Sequence, residues 1–128
     1  MVELIPMLAQ EVFENLGPGL SECMYQRALS LNLRLNGYVA ENEVIINISF
    51  NNENVGFIRA DVIVDKEVCL ELKAKASLSA SDRAQAAAYL KHNDQLKHAI
   101  LINFPSFKPQ IEFELITRDS LHLGCAST

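Results

Sequence analysis

Between Val2 and Leu16 the apolar residues fall at Leu4, Ile5, Leu8, Ala9, Val12, Phe13 and Leu16, the spacing of a helix with one buried stripe. "GPG" at 17–19 stops it. A second helix is predicted from about Leu20 to Asn36, with Gly37 as its stop and an apolar stripe of Leu20, Met24, Ala28, Leu31 and Leu35. The period then changes to two. Val44, Ile46, Ile48 and Phe50 share one face of a strand over 43–50, "NNEN" at 51–54 is a turn, and further strands cover 55–64 and 67–74. An alanine-rich helix follows from about Ser79 to His92, and small residues at 84, 86, 87 and 88 let it lie close to a sheet. Strands at 98–104 and 111–117 complete the order α-α-β-β-β-α-β-β, an α/β arrangement.

The polar residues of the second and third strands fix their pairing. Phe57, Arg59, Asp61 and Ile63 alternate with Ile58, Ala60, Val62 and Val64; Cys69, Glu71 and Lys73 alternate with Val68, Leu70 and Leu72. An antiparallel pair puts its apolar faces on the same side. A two-residue turn at 65–66 would mix the faces. A loop over 65–67 instead pairs Val64 with Val68, Val62 with Leu70 and Ala60 with Leu72. The same register sets Asp61 opposite Glu71 and Arg59 opposite Lys73, with facing Cβ atoms roughly 4.5–5.5 Å apart. Two facing carboxylates repel unless something positive lies between them, and a divalent cation is the simplest answer. Mg²⁺ takes oxygen ligands at ~2.0–2.1 Å and is commonly held by one or two carboxylates, with water and phosphate completing its shell. Lys73, one pleat further on, is placed to polarise a water or to stabilise charge developing on phosphate. The plain alternative is a half-solvated sheet face carrying ordinary charges.

Composition narrows the class. A chain of 128 residues, 49% hydrophobic, reads as one domain over 1–128 with ample core and no disordered run. No apolar stretch approaches the ~20 residues that span a bilayer. The N-terminus carries acids and no Lys or Arg before Gly17, so no signal peptide is expected, and an intracellular location, cytoplasmic or nuclear, follows as the default. Three cysteines without a CxxC argue against a disulfide framework or a zinc site; Cys23 and Cys69 are expected to be buried thiols, with Cys125 near the tail. His92, His98 and His122 lack metal-ligand spacing. A net charge of −5 counts against a general nucleic-acid-binding surface, yet a carboxylate metal cluster brings acidity of its own.

Two further motifs meet these strands. "LGPGLSECMYQRAL" holds Gly19-x-x-Glu22-x-x-Tyr25, and "AQAAAYL" holds Gln85-x-x-x-Tyr89. With "RADVIVD", "LELKA" and "LINF", in this order over about residues 5–117, the chain resembles the GxxExxY family of the PD-(D/E)xK nuclease superfamily. The resemblance implies a restriction-endonuclease-like fold, a central mixed sheet with flanking helices. It matches Asp61 and Glu71, with the backbone carbonyl of Leu72, to the metal ligands, and Lys73 to the catalytic lysine. Glu22 matches the helix acid that approaches the metal, which implies a catalytic and metal-binding role for it. Gln85 and Tyr89 match a helix motif beside the active site and the nucleic acid. The superfamily's proline is replaced by Ala60.

Helical spacing puts Gln85 and Tyr89 on one face, and Glu22, Tyr25 and Gln26 on another. Plainer roles stand beside these. Glu22 also suits a helix N-terminus, Tyr25 suits packing or support of the site, and Gln85 with Tyr89 suits an interhelical hydrogen bond. Arg59 either meets a phosphate or pairs with an acid. The implied activity is a nuclease dependent on Mg²⁺ or Mn²⁺, acting on DNA as an endo- or exonuclease. A catalytically weak nucleic-acid-binding module acting with a partner is the alternative. A homodimer is plausible, since one small domain cuts one strand at a time.

Overall fold

In the computed structural model, which describes residues 1–119, the elements follow the expected order. They are α1 (Leu4–Leu16), α2 (Glu22–Leu35), β1 (Ala40–Phe50), β2 (Glu53–Val64), β3 (Val68–Lys73), α3 (Ala80–His92), β4 (His98–Asn103) and β5 (Glu112–Thr117). His122 and Cys125 lie outside the described residues. The five strands form one sheet in chain order. Only β3 and β4 run parallel, because α3 crosses between them; the other neighbours are antiparallel. On one face, α1 and α2 bury Ile5, Phe13, Leu29 and Leu33 against Val62, Val64, Leu70, Leu72 and Ile102. On the other, α3 buries Ala86, Tyr89 and Leu90 against Ile63, Cys69, Ala99 and Leu101. Helices on both faces of a mixed sheet, in this order, are consistent with the restriction-endonuclease-like fold. No helix among the described residues is long and apolar enough to cross a membrane.

Helix α2 turns a different face inward from the one its sequence suggested. Met24, Leu31 and Leu35 are exposed, whereas Tyr25, Leu29 and Leu33, at four-residue steps, are fully buried with Gln26 and Ser30 beside them. The helix carries two apolar stripes, and the one with the aromatic ring goes in. Tyr25 stacks on Phe104 at 4.3 Å between centroids and meets Phe13 edge-on at 5.9 Å. Cys23, next to Met24 on the outer side, is exposed rather than buried, while Cys69 is buried under α3. Ser21 caps the helix by accepting from the Met24 N–H, so α2 starts at Glu22.

The Tyr25 hydroxyl donates to the Gly17 carbonyl at 2.6 Å and accepts from the Leu20 N–H at 3.2 Å. It thereby ties down the turn in which Gly17 and Gly19 take positive φ. Tyr25→Phe keeps the ring contacts and orphans both backbone groups. It is expected to lower stability by about 1–2 kcal/mol in urea denaturation; an unchanged midpoint would assign the hydroxyl no structural role.

The β2–β3 register is the one deduced: Val64 faces Val68, Ile63 faces Cys69 and Val62 faces Leu70. Asp65 and Lys66 both take left-handed φ in the intervening loop. Pairing then stops, and the expected Ala60–Leu72, Asp61–Glu71 and Arg59–Lys73 rungs do not form as ladder pairs. β1 and β2 continue together, and at 11 and 12 residues against 6 in β3 their hairpin outruns the sheet. It closes through Asn51 and Asn52, both left-handed, a tighter turn than the one read over 51–54.

Glu43 also has left-handed φ, and there the hairpin changes sides. Ala40, Val62 and Val64 pack under α1 and α2, but Ile46 and Ala60 belong to the α3 core, with Val44 and Ile58 packed against it. The single face expected for Ile58 through Val64 is therefore two. Phe50 stands exposed next to the hairpin turn.

Candidate active site

The parting of β2 from β3 is what places Asp61. Its Oδ2 reaches across and accepts from the Leu72 N–H at 2.8 Å, where a strand carbonyl would otherwise sit. The N–H and C=O of one strand residue point to the same side, so the Leu72 carbonyl is aimed at the same edge. The Asp61 carbonyl accepts from Gln26 Nε2 at 3.1 Å, and the same amide reaches Glu43 Oε1 at 3.2 Å.

Glu71 is 3% exposed, and both its oxygens are engaged. Oε1 accepts from the Tyr89 hydroxyl at 2.6 Å, and Oε2 lies 3.2 Å from Lys73 Nζ. The Tyr89 hydroxyl is also 2.8 Å from the Arg59 carbonyl, so it holds β2 to the site. Lys73 Nζ donates to Gln85 Oε1 at 2.9 Å. Gln85 and Tyr89 stand one turn apart on α3, so one helix face grips both the lysine and the glutamate.

The electrostatics are those of a site with an excess of carboxylates. Burial, then the nearby Glu71, then Glu22 and Glu43 push the Asp61 carboxyl up to about 7, against the opposing Leu72 hydrogen bond. Burial and the charge of Glu22 raise Glu71, although Tyr89 and Lys73 pull the other way. For Lys73, burial disfavours the ammonium, but the hydrogen bond and charge of Glu71, with Glu22 and Asp82, outweigh it and lift its pKa above the ordinary value.

These donors suit a hard divalent cation: two carboxylates and a carbonyl at one strand edge, all oxygen, held against their own repulsion. Among the described residues no three His, Cys, Asp or Glu side chains form a ready-made metal cluster. Two carboxylates completed by water are the usual holding of Mg²⁺.

The remaining predicted residues divide. Glu22, the first residue of α2, is exposed and acts on Asp61 and Glu71 by charge, without closing a three-carboxylate cluster with them. Tyr25 faces away into the α1–α2 core. Arg59 does not oppose Lys73; it pairs with Glu43 at 3.8 Å, and so meets an acid.

Three residues were given no role in the sequence reading. Gln26 shares a helix face with Glu22, which was visible, but its bonds depend on where the β1–β2 ladder breaks. Glu43 gave no signal. Asp82 did: "SASD" at 79–82 is a capping box, in which Asp82 N–H bonds the Ser79 hydroxyl and Asp82 Oδ2 takes the Ser79 N–H. Its carboxylate also holds Lys75 Nζ at 2.8 Å and lies 3.9 Å from Lys73 Nζ.

The sequence model of the PD-(D/E)XK nuclease superfamily matches residues 1–115. The crystal structure of SSO0001 superposes with a TM-score of 0.54 at 21% identity, covering 80% of this chain. The match takes in 58% of that protein's chain, so this chain spans less than two thirds of it, and the likeness is one of fold. No curated protein matches the sequence.

Proposed function

Because the chain belongs to the PD-(D/E)XK nuclease superfamily, we propose that it hydrolyses phosphodiester bonds in DNA with Mg²⁺ or Mn²⁺ as cofactor. Asp61, Glu71 and the Leu72 carbonyl would hold the ion, with Glu22 adding negative charge at the mouth through water. Such an ion supplies an acidified water and neutralises charge on the phosphate. The chain's own groups do the rest. Lys73 sets a fixed positive charge beside the reacting phosphate, Gln85 orients Lys73, and Tyr89 fixes the Glu71 carboxylate. Within the superfamily we assign the chain to the GxxExxY branch. Gly19 supplies a positive φ, Glu22 opens α2 toward the carboxylates and Tyr25 anchors the preceding turn.

The observation that carries this reading is Asp61: a partly buried carboxylate crowded by three others, bonded to the strand that bears Glu71 and Lys73. The test is hydrolysis of single- and double-stranded DNA with Mg²⁺ or Mn²⁺, beside a chelated control. Cleavage that disappears on chelation is expected. A folded protein that cuts neither substrate with either metal would shift the reading to a weak nuclease-fold module that acts with a partner. The net charge of −5 favours that second reading.

A further inference from the structure

Asp61 sits in a strand and yet has no ladder partner on either side among the described residues. Towards β1, Asn42 pairs with Val62 and Val44 with Ala60, but the Glu43–Asp61 rung between them does not form. Towards β3, pairing runs from Val62 to Val64 and stops. Glu43 accounts for the first gap, because its φ of 56° turns the backbone out of the extended conformation that a rung needs. Irregularities of this kind beside a reaction site commonly re-aim a side chain.

The gap leaves the part-buried Asp61 carbonyl without a strand donor, and such groups are almost always paired. Here the donor comes from a helix. Gln26 of α2, 8% exposed, gives its amide nitrogen to the Asp61 carbonyl at 3.1 Å and to Glu43 Oε1 at 3.2 Å. Both partners only accept, so the nitrogen end of the amide faces them. Glu22 stands one turn earlier on the same face of α2, and the same bond fixes its approach to the carboxylates. Glu71 is held in a parallel way from the other face of the sheet, where Tyr89 of α3 bonds its Oε1 at 2.6 Å.

We propose that Gln26 is a positioning residue for cation binding: its amide takes the place of the absent β1 rung and holds Asp61 where Asp61 and Glu71 can take one ion together. The role rests on the metal-site reading above and adds to it a residue from outside the strands that sets the affinity of the site. Mg²⁺ demands near-ideal placement of its oxygens, and groups that fix a metal ligand typically change affinity 10- to 100-fold when removed.

Mn²⁺ binding to the full chain, without nucleic acid, is read by electron paramagnetic resonance of the free ion, and Mg²⁺ by competition against it. Gln26→Met keeps the length of the side chain and removes the amide. It is expected to weaken Mn²⁺ binding by roughly 10- to 100-fold. Gln26→Asn keeps an amide one methylene too short and should lose nearly as much; it decides the case where Gln26→Met does not fold. Asn32→Ala is the control. It removes a bond of the same kind from the same helix, made to the Leu8 carbonyl of α1 at 3.1 Å. Its urea midpoint should fall while its Mn²⁺ affinity stays that of the wild type.

Wild-type Mn²⁺ affinity in the folded Gln26 variants, or an equal loss in Asn32→Ala, would overturn the proposal and leave the metal site standing, with Gln26 merely satisfying a carbonyl. A wild type that binds no Mn²⁺ would overturn the metal reading and the role of Gln26 with it. Binding that depends on Gln26, in a chain that cuts no DNA, would keep the proposal and remove the nuclease.

Discussion

Lys73→Met is expected to lower kcat on DNA by roughly 10²–10⁴-fold, the cost of removing one preorganised group that stabilises transition-state charge, with KM changed only a few-fold. The geometry decides which role the lysine plays. Its ammonium is held between Glu71 at 3.2 Å and Gln85 at 2.9 Å, with Asp82 at 3.9 Å, and its pKa is raised. A lysine kept charged in this way is no general base near neutral pH. On the proposed mechanism it serves as a fixed positive charge, so no alkaline limb of the pH–rate profile should trace to it. Methionine keeps most of the apolar stem and removes the charge alone. Gln85→Ala should cost less, about tenfold, because it only loosens the lysine's position. Steady-state kinetics in Mg²⁺, with a thermal melt to show that each variant folds, separate these cases. A Lys73→Met protein with wild-type kcat would remove the lysine from the mechanism.

Much of this site was legible because strand register is arithmetic. The odd loop at 65–67 was the choice that kept apolar faces together, and it put Asp61 beside the strand carrying Glu71 and Lys73. What the arithmetic missed was where the ladder ends. Asp61 does not face Glu71 across a rung; it replaces a strand carbonyl at the Leu72 N–H. Sequence period reports alternation and is blind to a single left-handed residue such as Glu43, which moves Ala60 and Ile58 into the other core. The inner face of α2 was misread for a related reason. Met24, Leu31 and Leu35 repeat as convincingly as Tyr25, Leu29 and Leu33, and only the aromatic partners Phe13 and Phe104, distant in sequence, decide between them. The contacts of Gln26 and Glu43 follow from that tertiary packing and had no local signal.

Asp61→Asn is expected to abolish hydrolysis and yet stabilise the metal-free protein near pH ~8 by on the order of 1–3 kcal/mol. Asparagine keeps a carbonyl oxygen for the Leu72 N–H and removes a charge that Glu71, Glu22 and Glu43 oppose. The Asp61 carboxyl is raised from an ordinary 3.8 to about 7, so the folded state binds its proton more tightly than the unfolded state does. The stability from that proton is complete below the unfolded value, drains away as pH rises between the two, and is gone above the folded one. Each pH unit of separation corresponds to ~1.4 kcal/mol. Asp61 is partly open to solvent, which screens the repulsion and holds the expected gain below the full sum. The advantage of Asp61→Asn should therefore grow from about pH 5 to about pH 8 in urea denaturation, and Mg²⁺ should erase it by stabilising only the wild type. A variant less stable than wild type near pH 8, or an advantage that ignores pH, would mean that the carboxylates are not in conflict. Without that conflict, the cation demand inferred for this cleft would lose its physical basis.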